Sequence, residues 1–281
     1  MTVSHSSPEG EILPPVGPAV PVPDYHPAGI PDSEFAPQRR RRSELFAAPA
    51  TYILVGINVA VFVWMVFHGV SIQTPTPADL VQFGANNTSL VLNHGEWYRL
   101  LTAIFVHVGW IHLATNMWCL WNLGMLGEPL LGPFGLAAVY VLTGVAGNLL
   151  SMAVNVLAGN DSVGAGASGA VFGIAGILIV LLSNRKLPIP WEELRRLRRS
   201  VIQFAALNLV IGLGVNFGDF IHIDNSAHIG GFVSGLALGP PLVPKMTSGR
   251  ERYLGRQKIV FAVAALALSL FGYLIASLRS N

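Results

Sequence analysis

Ser168 lies among residues that have almost no side chain. The run at residues 166–173 reads GASGAVFG and begins an apolar segment. If a helix begins here, free backbone N–H groups and the positive end of the helix dipole lie beside the Ser168 hydroxyl. These groups could stabilise an oxyanion, so Ser168 is a candidate nucleophile. Taken alone, the run favours a simpler interpretation, a packing face of small residues formed by Gly169, Gly173 and Gly176.

A histidine occurs in a similar setting further along the chain, in the run DNSAHIGG at residues 224–231. His228, Gly231 and Gly235 are spaced i, i+3 and i+7, so they share one face of a helix. Glycines on that face allow close contact with a neighbouring helix, and we expect that neighbour to carry Ser168. His228 would then be the general base. The alternative is a histidine that is hydrogen-bonded between helices for stability alone.

His112 and Asn116 supply hydrogen-bond donors on another segment. Their i, i+4 spacing places them on one helix face, and neither carries a fixed charge at neutral pH. Acyl transfer needs such donors where negative charge develops on the carbonyl oxygen, and each contributes roughly 3 kcal/mol. A metal site formed by His107, His112 and His228 is a weaker alternative, because no carboxylate lies in the apolar segments.

No carboxylate is an obvious partner for His228. Asp161 and Asp224 are predicted to lie in external loops, exposed to solvent. The sequence therefore predicts a Ser–His dyad rather than a triad. Cys119, the single cysteine, lies in an apolar run and is interpreted as a buried structural residue rather than a nucleophile.

The elements that must position these residues are predicted to be membrane helices. The 281 residues are 52% hydrophobic and 11% charged, with a mean hydropathy of +0.54. A soluble domain has about 25% charged residues, so much of this surface is expected to face lipid. Long apolar segments without polar alternation predict helices rather than strands. They lie near 51–70, 104–126, 133–157, 168–183, 201–217, 226–243 and 259–278. The fourth is shorter than the roughly 20 residues that cross a bilayer, which leaves room for water.

Most basic residues fall on one side of these predicted helices. With an internal N-terminus, the cytoplasmic segments are the N-terminal tail, 127–132, 184–200 and 244–258. They hold fifteen of the 17 Lys and Arg, and only Arg99 and Arg279 fall outside. This bias predicts a cytoplasmic N-terminus and an external C-terminus. No Asp, Glu, Lys or Arg lies within the seven segments, which argues against an ion-coupled transporter.

Residues 1–44 predict a disordered, proline-rich cytoplasmic tail. No apolar stretch follows the start, so the tail does not resemble a secretory signal peptide. Its four arginines at 39–42 are interpreted as a topology anchor rather than a nucleic-acid patch. Residues 45–243 are predicted to form a six-helix core, and residues 244–281 a basic cytoplasmic loop with a seventh transmembrane helix.

Together, the serine run, the His112–Asn116 pair and the AHIGG run around His228 resemble the rhomboid family of intramembrane serine proteases. The resemblance covers about residues 50–243, with the motifs in family order. It implies an all-α polytopic membrane bundle, with six core helices around a water-filled cavity open to the outside and an extra C-terminal helix. Ser168 would be the nucleophile and His228 the base. His112, Asn116 and the Ser168 N–H would form the oxyanion hole.

The resemblance also implies several supporting residues, which are Gly166, Phe172, Gly231, Gly235 and Arg99. Arg99 matches a Trp-Arg pair in the family's first external loop, although Tyr98 takes the aromatic place here. Phe172 stands where many members have a tyrosine that packs on the catalytic histidine. A phenyl ring can still stack, but the hydrogen bond of a hydroxyl is lost.

The implied activity is cleavage of single-span membrane proteins in or near the lipid bilayer, with no metal, cofactor or nucleic acid. The composition, rich in Ala, Gly and Pro and poor in Lys, indicates a bacterial source and hence a multi-pass protein of the cell membrane, with the active-site cavity facing outside.

Two alternatives stay open. A non-catalytic relative that binds membrane proteins would need none of the four site residues. A small-solute transporter would show inverted repeats, and no convincing repeat is found.

Overall fold

The computed structural model describes residues 48–185, 187–214, 224–244 and 249–280. The predicted tail at 1–44 lies outside these residues. The described part is a helical bundle with one pair of two-residue strands, β1 (Asn86–Asn87) and β2 (Val163–Gly164). The helices are α1 (Pro49–Phe67), α2 (Pro77–Gln82), α3 (Thr88–His94), α4 (Arg99–Thr102), α5 (Gly109–Ala158), α6 (Ser168–Leu181), α7 (Trp191–Gly214), α8 (Asn225–Leu242) and α9 (Arg250–Ser280).

Several helices have the length and composition of membrane spans. They are α1, α5 and the range Arg250–Leu278 of α9, and α6 is a shorter apolar helix. The all-α, polytopic membrane bundle that the sequence predicted is therefore confirmed. Helices α7 and α9 begin about ten residues before the apolar segments that predicted them, because their charged first turns are also helical.

Helix α5 joins the second and third predicted spans. It is continuous except at Gly132, whose φ of 74° and ψ of 165° are not helical. Pro133 follows, and its missing N–H removes one hydrogen bond of the helix at this point. Residues 127–132, predicted to lie on the cytoplasmic side, are helical up to the kink at Gly132.

Glu128 lies in that segment and is buried, with 2% of its surface exposed. Its carboxylate accepts hydrogen bonds from the backbone N–H groups of Ala50 and Thr51, both at 2.8 Å. The Thr51 hydroxyl donates a third, also at 2.8 Å. Glu128 thus neutralises the N-terminus of α1, whose own N-cap residue, Ala48, provides no side-chain cap.

Helix α6 lies at the centre of the bundle and begins at Ser168. Most of its side chains are fully buried against α5 and α8. Its 14 residues span roughly 21 Å, less than the roughly 30 Å thickness of the hydrocarbon core. The predicted short fourth apolar helix is thus present.

The strand pair ties the segment before Ser168 to the segment that follows α2. Asn86 pairs with Gly164 and Asn87 with Val163, in antiparallel register. Two further hydrogen bonds hold the same region, from Gly166 N to the Ala103 carbonyl at 2.9 Å and from Asn148 Nδ2 to the Leu100 carbonyl at 2.9 Å. The approach to the serine is therefore anchored by contacts distant in sequence.

We expect Glu128→Gln to lower the free energy of unfolding by about 2–3 kcal/mol, because an amide cannot accept all three hydrogen bonds that the carboxylate accepts. Unfolding in detergent can be followed by maleimide reaction with Cys119, which is buried on α5. Glu251→Gln is the matched control, since Glu251 is exposed in the first turn of α9. Equal stability of the two variants would contradict the capping role.

Candidate active site

Helices α6 and α8 cross with their backbones in direct contact. A Cβ atom at Gly231 would overlap the carbonyl oxygen of Gly169, and one at Gly235 would overlap that of Gly173. The glycines of α8 therefore face the glycines of α6, one residue beyond Ser168 and one turn further along. The sequence suggested both a packing face of small residues and a close contact between the helices that carry Ser168 and His228. The α6–α8 crossing accounts for both.

The carbonyl group of Ala227 marks the point where three helices meet. A Cβ atom at Gly147 on α5 would lie 2.5 Å from the Ala227 oxygen, and one at Gly169 on α6 would lie 3.2 Å from it. Helix α8 is thus seated between α5 and α6 immediately before His228. No larger side chain fits at Gly147 without moving α8.

His228 is buried and stacks on Phe172. The ring centroids are 4.4 Å apart, and the planes are inclined by 14°. Phe172 lies one helical turn after Ser168 on α6, so the stack holds the imidazole beside the start of that helix. Nδ1 of His228 is buried, and no hydrogen-bond partner for it exists among the described residues.

Ser168 is the first residue of α6 and is half-buried. The first hydrogen bond of the helix runs from the Val171 N–H to the Ala167 carbonyl, at 3.0 Å. The N–H groups of Ser168, Gly169 and Ala170 thus have no acceptor within the helix. In the described part of the chain no hydrogen bond joins Ser168 to His228. The helix contact places His228 on Phe172, one turn after Ser168.

His112, near the start of α5, presents its Nε2 edge to the segment before Ser168. The backbone N–H of Val108 donates to His112 Nδ1 at 3.3 Å, so the proton of the neutral ring is on Nε2. Gly166 has a φ of +132°, and a Cβ atom there would lie 2.6 Å from Cε1 and 3.0 Å from Nε2 of His112. Only glycine allows this approach, which leaves an N–H donor two residues from Ser168.

Asn116 lies one turn after His112 on the same face of α5 and is buried. Its Nδ2 donates to the His112 carbonyl at 2.9 Å, within its own helix. The amide carries two N–H groups, so one is still available to a substrate oxygen.

Arg99 is placed away from this cluster, in the segment between α1 and α5. Its Nη1 donates to the carbonyl groups of Val81 at 2.6 Å and Ala85 at 3.1 Å. Its Nε donates to Glu96 at 2.5 Å. The hydrogen bonds from Arg99 and then from the Tyr98 hydroxyl hold the pKa of Glu96 below its usual value. Arg99 thus orders the chain that leads into β1 and supports the site only through the strand pair.

Asp224, which was predicted to be solvated, is half-buried, and its contacts are not to His228. One carboxylate oxygen accepts from Ala227 N at 3.0 Å, which caps α8, and the other accepts from the Ser151 hydroxyl on α5. An aspartate just before an apolar run is a sequence signal for such a cap. Asp161 is exposed, as predicted, and accepts from Ser89 N at 2.9 Å.

The metal alternative gains no support from the geometry. The rings of His107 and His112 are 5.3 Å apart. However, the residues that the structure describes contain no group of three His, Cys, Asp or Glu side chains able to hold a metal ion.

A family model described as the Rhomboid domain matches residues 94–245, which include Ser168, His228, His112 and Asn116. The chain belongs to the rhomboid family. Among curated relatives, the rhomboid protease GluP of Bacillus subtilis is 35% identical over 232 residues, which cover 82% of this chain and 41% of the relative. The rhomboid protease AarA of Providencia stuartii is 30% identical over 229 residues, which cover 75% and 79%. Rhomboid-like protease 2 of Toxoplasma gondii is 34% identical over 190 residues, which cover 66% and 63%.

This rhomboid chain spans only part of several relatives. It covers between 39% and 63% of the length of GluP, the Toxoplasma protein and two Arabidopsis thaliana RHOMBOID-like proteins. Within the chain, the structure places Gly166 against His112, Phe172 against His228, and Gly231 and Gly235 against the α6 backbone. Asn116 follows His112 by one turn, and Arg99 lies away from these contacts. The contacts of the Val108 N–H and of Asp224 were not predicted from the sequence.

We expect Gly231→Ala to lower the free energy of unfolding by about 2–3 kcal/mol, because the added methyl group overlaps the Gly169 carbonyl and forces α6 and α8 apart. Gly56→Ala is the matched control, since a Cβ atom there meets nothing within 4 Å. The unfolding temperature, followed by maleimide reaction of Cys119, should fall for the first and not for the second. A Gly231→Ala variant as stable as wild type would rule out the close crossing.

Proposed function

We propose that this rhomboid chain is an intramembrane serine endopeptidase that cleaves single-span membrane proteins with a Ser168–His228 dyad. The observation that carries the proposal is the stack of His228 on Phe172, one turn from Ser168. It gives a nucleophile and a base on two helices whose backbones are in contact. The names of the relatives, which are called proteases, support the same activity.

In the proposed reaction the Ser168 hydroxyl attacks the scissile carbonyl while His228 Nε2 accepts its proton. The tetrahedral intermediate collapses, the peptide C–N bond breaks, and the imidazolium gives the proton to the leaving amine. Water then attacks the acyl ester, with His228 again as the base, and releases the acid product and the free serine. The lack of a carboxylate on His228 Nδ1 among the described residues supports a dyad over a triad.

Negative charge on the carbonyl oxygen would be stabilised by three donors. His112 offers Nε2–H, because Val108 occupies its Nδ1. Asn116 offers its second amide N–H, and Ser168 offers the free backbone N–H at the start of α6. The positive end of the α6 dipole lies at the same point.

The short length of α6 supports an active site that lies below the membrane surface but is still reached by water. A helix of roughly 21 Å leaves its serine end below one membrane surface, so hydrolysis does not require water in the hydrocarbon core. A substrate helix would enter sideways and unwind where small or helix-breaking residues weaken it. The water-filled cavity that the family resemblance implies is part of this proposal.

The test is cleavage of a fluorescent single-span substrate in liposomes by wild type, Ser168→Ala and His228→Ala, at matched amounts of folded protein. We expect cleavage by wild type and a loss of at least about 1,000-fold in either variant, because removal of one dyad member disables the whole unit. Equal cleavage by all three proteins would show that other residues do the chemistry.

If wild type cleaves no substrate and Ser168 does not react with a fluorophosphonate probe, a role in binding membrane proteins without cleavage would replace the protease.

The oxyanion donors are checked in the same assay. His112→Ala and Asn116→Ala should each lower kcat by about 100-fold or more. Trp118→Phe is the control, because Trp118 is exposed on the same helix, and it should leave kcat unchanged.

We further propose that the chain spans the bacterial cell membrane with its N-terminus in the cytoplasm, its C-terminus outside and the active-site cavity open to the outside. The support is the placement of fifteen of the 17 Lys and Arg on one side. In a Cys119→Ser background, an impermeant maleimide should label Asn93→Cys in intact cells and label Ser200→Cys only after lysis. Both positions are exposed. The reverse pattern would invert the orientation.

A further inference from the structure

Helix α9 contributes few fully buried apolar residues to the core, among them Phe261 and Ile275. Only 17% of its most apolar window is buried, against 50% for α5. Yet Gln257 is completely buried, with 0% of its surface exposed, and Tyr253 and Arg256 are half-buried. The three residues are spaced i, i+3 and i+4 and therefore share one face of α9. A polar face that is buried on a helix otherwise exposed to lipid needs a specific explanation.

The first partner of this face is the kink in α5. Gln257 Nε2 donates to the Leu131 carbonyl at 2.7 Å, and the Tyr253 hydroxyl lies 3.3 Å from the Leu130 carbonyl. These carbonyl groups end the first half of α5. The non-helical φ and ψ of Gly132 interrupt α5 directly after these two carbonyl groups.

The second partner is the end of α8. Arg256 Nη2 donates to the Val243 carbonyl at 2.7 Å, and the Tyr253 hydroxyl donates to the Leu242 carbonyl at 3.0 Å. Tyr253 thus lies within hydrogen-bonding distance of α5 and α8 at once. Its single proton serves one carbonyl at a time, so the hydroxyl links the two helix ends.

We infer that Tyr253, Arg256 and Gln257, together the carbonyl clamp, are positioning residues for the active site. The first half of α5 carries His112 and Asn116, and α8 carries His228. The clamp holds the far ends of these two helices in register with each other. The inference rests on the proposed function, since the residues so positioned are the proposed base and oxyanion donors.

The surroundings of Gln257 leave little freedom for other arrangements. A Cβ atom at Gly135, on the second half of α5, would lie 2.5 Å from Gln257 Nε2. The glycine therefore makes the space that the amide occupies. Leu131 and Gln257 are both buried, so bulk water does not replace the amide as the donor to the Leu131 carbonyl. Loss of the amide thus strains the kink.

Apolar contacts at Phe261 and Ile275 also attach α9 to the core, so the clamp is one of several contacts that hold this helix. A cavity of about 570 Å³ separates α9 from α5, lined by Leu142, Val145, Leu149, Leu268 and Tyr273 among others. Near the opposite end, a Cβ atom at Gly272 would lie 3.1 Å from the Trp97 ring.

The test compares Gln257→Met, which keeps the size and removes the donor, with Leu266→Met, which lies on the exposed face of α9. Two quantities are measured on the full chain: kcat and KM for a single-span substrate, and the rate at which maleimide modifies Cys119 on α5. We expect Gln257→Met to lower kcat about tenfold with KM within twofold, and to speed Cys119 modification at least about fivefold. Leu266→Met should change neither. Arg256→Lys, which keeps a donor, should retain more kcat than Arg256→Met.

If Gln257→Met does not fold, Tyr253→Phe removes one hydroxyl and tests the same prediction. A variant that speeds Cys119 modification but keeps kcat would overturn the positioning role, as would one that changes neither quantity. Failure of the proposed function is distinguishable, because wild type would then cleave nothing in a Ser168-dependent way. In that case an unchanged Cys119 rate in Gln257→Met would still overturn the clamp, and a faster one would support it.

Discussion

The crossing of α8 over α6 is the contact on which the rest of the site depends. At Gly231 and Gly235 the backbone of α8 lies directly against carbonyl groups of α6. Without side chains between them, the two helices approach more closely than ordinary helix packing allows. That approach brings the imidazole of His228 to the start of α6, one turn from Phe172. In lipid the hydrophobic effect does not drive helices together. Dispersion between closely packed backbones stabilises the helix pair instead.

A second constraint acts at every helix end and kink, where backbone groups lack partners within their helix. Where such a group is buried away from water, a side chain from elsewhere in the chain can supply its partner. Glu128 does so for α1, Asp224 for α8, and the carbonyl clamp for the kink in α5 and the end of α8. These polar contacts also determine which helices are neighbours. Other buried polar residues lie within helices, as Asn58 does on α1, where it hydrogen-bonds Tyr140 of α5.

The candidate site combines both constraints. Close helix packing positions Ser168 and His228. Backbone N–H groups without partners in their helix provide hydrogen-bond donors for the site. The first N–H groups of α6 are free because a helix start leaves them free. His112 has its proton on Nε2 because the Val108 N–H lies at Nδ1. A cluster with no fixed charge can therefore carry oxyanion donors in a region where a buried charge would be costly.

The sequence by itself determined the helices, the membrane setting and the candidate dyad. A helical face depends on spacing along one segment, so His228, Gly231 and Gly235 could be placed together without any structure. The same holds for His112 with Asn116 and for the short helix that begins at Ser168. The tertiary structure alone decided the hydrogen bond to His112 Nδ1, the burial of Glu128, and the polar contacts of Asp224 and α9. Glu128 reaches α1 across 77 residues and Gln257 reaches Leu131 across 126. Helical hydrogen bonds join residues four apart, whereas these partners meet only after the helices have packed.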